Sequence, residues 1–211
     1  MIDSRDAILQ RIRAGLGSGR DPAPDYGAIP RNYIRAGRLN TEARLQLFLE
    51  RLRDYETNVL EADTASVPET ILHILRGNGQ KKVISADGMP ARLLPAEFSF
   101  LPESRATVQD LNECDGIVAL CTVAIAWTGT IGLTHGPGEG ARRLTLLPDR
   151  HLCIVHADQV VETVPEAIER LAVASTSLLT LISGPSATAD IEMTRIRGVH
   201  GPRSLDVVLV R

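Results

Sequence analysis

Short apolar runs alternate with amphipathic stretches along the chain. Five runs rich in Val, Ile and Leu have the length of buried strands, and they cover residues 82–86, 116–120, 152–156, 178–183 and 206–210. Near-continuous apolar strands that alternate with helices are typical of a parallel sheet covered on both faces. The pattern therefore predicts an α/β fold with a mostly parallel sheet flanked by helices.

Helix signals lie between these runs. Apolar side chains follow helical spacing over residues 3–16, and Thr41 can cap a second amphipathic helix. Residues 66–69 (Ser-Val-Pro-Glu) and 163–166 (Thr-Val-Pro-Glu) each place a hydroxyl three residues before a glutamate. This is the pattern of a capping box with proline in the first turn. We expect a helix to begin at each of the two sites.

The Gly- and Pro-rich stretch over residues 17–30 has little apolar content and is typical of a linker. A chain of 211 residues suits one domain with a peripheral arm. We therefore expect an N-terminal helical arm and linker over residues 1–39 and one α/β domain over residues 40–211.

The charge balance gives no sign of a polyanionic partner. Lys and Arg number 23 against 26 Asp and Glu, for a net charge of −3, so nucleic-acid binding is not expected. The apolar runs are far shorter than the roughly 20 residues that a bilayer-spanning helix needs. The N-terminus also lacks the apolar centre of a secretory signal. We expect a cytoplasmic protein without membrane insertion.

Cysteine usage argues against a metal centre or a disulfide framework. The three cysteines are Cys114, Cys121 and Cys153, and none forms a Cys-x-x-Cys pair. An iron–sulfur cluster usually takes four thiolates, and a structural zinc site needs closely spaced ligands. We predict buried, inert thiols and no metal or other cofactor.

The strongest chemical signal follows the run at 178–183, where Ser183-Gly184-Pro185-Ser186 precedes a predicted helix. Free amides, the helix dipole and the hydroxyls of Ser183, Ser186 and Thr188 could hold a phosphate or carboxylate at the carboxyl edge of the sheet. The alternative is that Ser186 or Thr188 only caps the helix.

Two other glycine turns carry polar side chains. Thr128-Gly129-Thr130 presents two hydroxyls, and a turn at 135–140 precedes Arg142 and Arg143. These arginines could meet an anionic ligand or a partner's carboxylate, although a solvated loop with ordinary surface arginines is the favoured explanation.

Three further residues are candidates for acid/base or anion contacts. His200 stands in Gly-Val-His-Gly-Pro-Arg, which ends at Arg203, and an imidazole beside an arginine can donate a proton or bind an anion. A structural turn histidine is the alternative. Asp190 is a tentative acid/base residue. His151, like the two other histidines in regular segments, is predicted to be structural.

Residues 183–192 (Ser-Gly-Pro-Ser-Ala-Thr-Ala-Asp-Ile-Glu) and 198–203 resemble the signature of the lactate-utilisation protein C family, which contains the LUD domain. The likeness extends to residues 128–131 and to Leu-Leu-Pro-Asp-Arg-His at 146–151. The resemblance implies a fold similar to ribose-5-phosphate isomerases, CoA transferases and formyltetrahydrofolate cyclo-ligases. It also implies a role in a three-protein system that oxidises L-lactate to pyruvate.

In that system iron–sulfur subunits carry the electrons, so the resemblance implies that this chain is the cluster-free accessory subunit, which binds a small anionic metabolite and docks onto those subunits. One alternative is a free-standing isomerase, transferase or cyclo-ligase acting on a phosphorylated or CoA-like substrate, with His200 as acid/base. Another is a non-catalytic metabolite-binding module. Where the family commonly has Glu in Ala-Glu-Thr-Gly-Thr, this chain has Trp127, a residue that could stack on a ligand, plug a pocket or pack in the core.

Overall fold

A computed structural model describes residues 4–16, 26–172, 178–188, 196–197 and 201–211. The chain divides into two compact units, Met1–Tyr33 and Ile34–Arg211. Residues 34–39, which the sequence assigns to the linker, group with the larger unit. In that unit Glu162 accepts hydrogen bonds from the amides of Arg38 and Leu39, both at 2.7 Å, so this part of the predicted linker is tied to the domain.

The described residues form five α-helices and twelve strands. The helices are α1 Ser4–Leu16, α2 Thr41–Asp54, α3 Val67–Gly77, α4 Val108–Glu113 and α5 Val164–Ala172. The strands are β1 Asn58–Ala62, β2 Val83–Ser85, β3 Phe100–Pro102, β4 Gly116–Leu120, β5 Val123–Ile125, β6 Thr130–Leu133, β7 Arg150–His156, β8 Val160–Val161, β9 Thr180–Ile182, β10 Ala187–Thr188, β11 Ile196–Arg197 and β12 Ser204–Val210.

The main sheet has the order β1-β12-β7-β4-β2-β3, and each neighbouring pair is parallel. The inner strands β4, β7 and β12 are buried along most of their length, as expected for a parallel sheet covered on both faces. The predicted α/β fold with a mostly parallel sheet is confirmed.

A smaller sheet has the order β8-β5-β6-β9, in which β6 runs antiparallel to both β5 and β9. The apolar run at 178–183 was predicted to be a buried strand of the parallel sheet, and this prediction is wrong. Its strand, β9, lies at an edge of the small sheet, where Leu181 is 55% exposed.

The largest hydrophobic cluster brings the two sheets together with α2. It joins Cys153 and Val207 of the main sheet to Ile131 of the small sheet and to Phe48 of α2. A second cluster packs α3 against strands of the main sheet. All three cysteines are unpaired and buried, as the sequence predicts.

Helix starts follow the sequence in part. The box at Thr163 forms, because the Thr163 amide donates to the Glu166 carboxylate at 2.8 Å while the Glu166 amide donates to the Thr163 hydroxyl. The box at Ser66 does not form, since its hydroxyl bonds to the main chain of Asp63 instead. The cap of α2 is Asn40, not Thr41. None of the described helices is long and apolar enough to cross a membrane.

Candidate functional site

A cavity of about 320 Å³ opens where the two sheets meet. Its wall includes the second residues of β7 and β12, the two ends of the 3₁₀ turn Arg142–Thr145, and β9 with the turn that follows it. A volume near 300 Å³ is the lower end of the range for small-molecule sites. The predicted residues Ser183, Gly184, Pro185 and Ser186 all line this cavity.

The turn at 183–186 meets the predicted turn at 128–130 through a chain of hydroxyls. The Thr130 Oγ1 lies 2.8 Å from the Ser183 Oγ and 2.7 Å from the Thr128 Oγ1. Thr130 is buried, so its hydroxyl holds Ser183 in place from behind the cavity wall. Gly129 has a positive φ of 58° and lies against Arg51 of α2, so its glycine is explained by close packing.

Gly184 takes a conformation that glycine favours, with φ at 76°. A Cβ at this position would lie 2.6 Å from the Cβ of Tyr55. The absence of a side chain therefore lets the turn pass over Tyr55 and form the cavity wall.

Two parts of the predicted anion cradle are wrong. The amide of Ser186 is not free, because it donates to the Pro202 carbonyl at 2.8 Å. Residues 187–188 also form strand β10, which pairs antiparallel with β11, instead of starting a helix. No helix N-terminus therefore stands at this turn within the described residues.

The predicted position at the carboxyl edge of the sheet is also wrong. His151 and Leu205 line the cavity, and they are the second residues of the parallel strands β7 and β12. The cavity thus lies near the amino ends of these strands, on the face that looks toward the small sheet.

Arg142 supplies a positive charge at the cavity. Its Nη1 donates to the Thr180 hydroxyl at 2.7 Å and to the Thr145 hydroxyl at 3.3 Å. Among the residues that the structure describes, no carboxylate is within ion-pair distance of it. Arg143, in contrast, faces Glu103 at 3.6 Å and does not line the cavity.

His135 fixes the direction of the hydrogen bonds that position Arg142. Its Nδ1 lies 2.7 Å from the Gly140 carbonyl, which can only accept, so Nδ1 donates. In a neutral ring the Nε2 then accepts from the Thr180 hydroxyl, also at 2.7 Å. The Thr180 oxygen is left to accept from Arg142, and the three bonds hold the guanidinium at the cavity.

His151 is a cavity residue that the sequence interpretation missed. It is 0% exposed, and neither ring nitrogen has a hydrogen-bond partner in the described part of the chain. Burial lowers its pKa from 6.5 to about 4, so the ring is neutral at pH 7. A signal was present, because His151 directly precedes the apolar residues 152–155, but the same pattern also fits a satisfied core histidine.

The remaining candidates among the described residues do not line the cavity. Arg203 is 3.3 Å from the Asp149 carboxylate and lines a different depression, at the amino ends of the parallel strands. Trp127 is 39% exposed and does not line the cavity. Thr188 lies in β10.

Two predicted acid/base residues, Asp190 and His200, lie outside the described residues. No group of three His, Cys, Asp or Glu side chains in the described ranges could hold a metal ion.

Known proteins with similar sequences belong to the same family that the C-terminal motifs of this chain resemble. A lactate utilization protein C from Deinococcus radiodurans is 38% identical over 94% of this chain and 91% of its own length. A protein of the same name from an Exiguobacterium species is 29% identical over 99% of this chain and 96% of its own length.

A crystal structure of a DUF162 family protein from Deinococcus radiodurans is also similar. It is 34% identical, superposes with a TM-score of 0.71, and covers 82% of this chain and 100% of its own. The model of the LUD domain family matches residues 45–210, which span both sheets and every described residue of the cavity wall. The chain therefore belongs to the lactate utilization protein C family, whose members share the LUD domain.

Proposed function

We propose that this protein is the cluster-free accessory subunit of a cytoplasmic system that oxidises L-lactate to pyruvate, and that it binds a small anionic metabolite in the cavity. The relatives named lactate utilization protein C support the metabolic role. The observation that carries the binding proposal is Arg142, which lines the cavity without a carboxylate partner in the described residues.

The cavity provides a carboxylate with one charged hydrogen-bond donor and with uncharged hydrogen-bond donors. The guanidinium of Arg142 presents a fork of N–H groups that fits the two oxygens of a carboxylate, and such charge-assisted bonds are about twice as strong as neutral ones. Its Nη1 is oriented by Thr180, and the hydroxyl of Ser183 lines the same wall. The cavity of about 320 Å³ has room for a metabolite of a few carbon atoms.

Ligand-induced stabilisation tests the binding proposal. A ligand that binds only the folded state stabilises it by about 2.7 kcal/mol at a hundred times its Kd. L-lactate or pyruvate should therefore raise the melting temperature, whereas the neutral analogue lactamide should not. Arg142→Gln should remove the effect, and Arg143→Gln, whose arginine lies outside the cavity wall, should keep it. An unchanged melting temperature of the wild type with each of the carboxylates would refute the proposal.

Assembly requires a separate experiment. A tagged copy of this chain, isolated from its native cells under gentle lysis, should bring down subunits that show the visible absorption of iron–sulfur clusters. A strain lacking the gene should fail to grow on L-lactate while growing normally on pyruvate. Recovery of the chain alone, together with normal growth on lactate, would contradict the accessory role.

A further inference from the structure

His151 is the most deeply buried polar side chain on the cavity wall. It is the second residue of β7, and its main-chain neighbours across the sheet are Ile117 on one side and Leu205 on the other. Its side chain lies on the face shared with Cys153, the face that packs toward the small sheet. The imidazole is 0% exposed, yet it contributes to the lining of the cavity.

Both ring nitrogens of His151 lack a hydrogen-bond partner among the residues described. Buried polar groups in folded proteins are nearly always hydrogen-bonded, and each exception calls for an explanation. A neutral imidazole has one N–H donor and one acceptor nitrogen. Since His151 is among the residues that line the cavity, we expect a molecule within that cavity to supply the missing partner.

Other polar groups of the wall already form hydrogen bonds with one another, and they differ in how many donors and acceptors they have left. The Thr180 hydroxyl is shared between His135 and Arg142, so both its hydrogen and its oxygen are in use. Arg142 keeps N–H groups beyond the Nη1 that bonds to Thr180. A ligand in the cavity therefore meets a positive charge at Arg142, the hydroxyl of Ser183 and, at His151, an uncharged donor–acceptor group that has no partner in the described residues.

We propose that His151 is a specificity-determining residue, which hydrogen-bonds to an uncharged oxygen of the ligand, so that the cavity selects small carboxylates bearing a hydroxyl or keto group. This inference rests on the proposed function, in which Arg142 takes the carboxylate. A ketone oxygen accepts from the imidazole N–H, and a hydroxyl can bond to either nitrogen. One neutral ring can therefore recognise both a 2-hydroxy acid and the corresponding 2-keto acid.

Calorimetric titration of the wild type with L-lactate, pyruvate and propionate tests the selectivity. Propionate keeps the carboxylate and the three-carbon chain but has no oxygen at the second carbon. L-lactate and pyruvate should each bind about tenfold more tightly than propionate, since propionate leaves the buried imidazole unpaired. Equal affinities for the three would overturn the inference while leaving the anion site intact. No binding of any of them would instead refute the proposed function.

The variant His151→Phe assigns the selectivity to this ring. It should bind L-lactate and propionate with equal affinity, near that of the wild type for propionate, while Arg142→Gln should weaken all three ligands. Retained selectivity in folded His151→Phe would overturn the assignment. The ring ¹⁵N chemical shifts of wild-type His151 give a reading that does not depend on a variant: pyruvate should move them and propionate should not, and the reverse result would contradict the inference.

Discussion

The main chain at residue 184 is held in the left-handed region, with φ at 76°, directly above Tyr55. An alanine there would be strained by its backbone and would also place its Cβ 2.6 Å from the Tyr55 Cβ. The sequence pattern predicts that this glycine belongs to an anion-binding turn. In the structure, the absence of a side chain at this position lets the turn that carries Ser183 pack against Tyr55.

Gly184→Ala should lower the free energy of unfolding by about 1–3 kcal/mol, because the residue must adopt a strained conformation or shift the turn. Urea unfolding measures the loss. Gly136→Ala is the matched control, since a Cβ there would only meet the Thr134 hydroxyl at 3.8 Å, and it should cost less than the change at 184. Equal losses in the two variants would show that the backbone at 184 is not under this constraint.

His151 should make stability depend on pH in a direction opposite to that of an ion-paired histidine. Its folded pKa is about 4 and its ordinary value is 6.5, so between these values the unfolded chain takes up a proton that the folded chain does not. Stability is therefore complete above pH 6.5 and falls as the pH is lowered toward 4. The loss due to this group between pH 7 and pH 5 is about 2 kcal/mol.

Denaturant unfolding of the wild type and His151→Phe at pH 7 and pH 5 isolates this contribution. The variant should lose about 2 kcal/mol less than the wild type over that interval, since the other titrating groups are common to both. It should also be at least as stable at pH 7, because the substitution removes two unpartnered buried nitrogens. An identical pH dependence in the two proteins would mean that His151 is not buried in its neutral form.

At the scale of single elements, local signals located helices better than they located caps. The start of α2 was assigned to Thr41, but the Asn40 side chain accepts the amide of Ala43 at 2.9 Å. Both residue types are good caps, and sequence alone does not decide between neighbours. At Ser66 the backbone is already helical, so its hydroxyl turns to Asp63.

Asn40→Ala should reduce the free energy of unfolding by about 1 kcal/mol, since the variant leaves the first turn of α2 without its side-chain acceptor. Thr41→Ala should change it by less than about 0.5 kcal/mol, because Thr41 is the first helical residue and is exposed. Chemical denaturation compares the two. A larger loss at Thr41 would place the cap where the sequence had placed it.

For strands, the sequence predicts which segments are extended and apolar but not which strands they pair with. The runs that became β4, β7 and β12 were predictable because buried parallel strands are apolar throughout. The run at 178–183 has the same composition, but β9 is an antiparallel edge strand with Leu181 exposed. Pairing partners depend on contacts far apart along the chain, and composition does not encode them. The small sheet was therefore not foreseen.

Over the whole molecule, the cavity collects residues from four separate stretches, around positions 142, 151, 183 and 202. The stretch at 183 and Arg142 are predictable from the sequence, because glycine turns and paired arginines are local patterns. The sequence also predicts a structural role for His151 and a ligand contact for Arg203, whereas Arg203 pairs with Asp149 in another depression. Which side chains share a cavity is set by the packing of the two sheets, so a local pattern cannot supply it.

A crystal structure of the protein grown with pyruvate, at a concentration well above its measured Kd, tests directly whether the cavity binds a 2-keto acid. We predict electron density for pyruvate in the cavity, with its carboxylate within hydrogen-bond distance of the Arg142 guanidinium and its keto oxygen at a ring nitrogen of His151. Pyruvate bound at another place, with this cavity occupied only by water, would contradict this prediction.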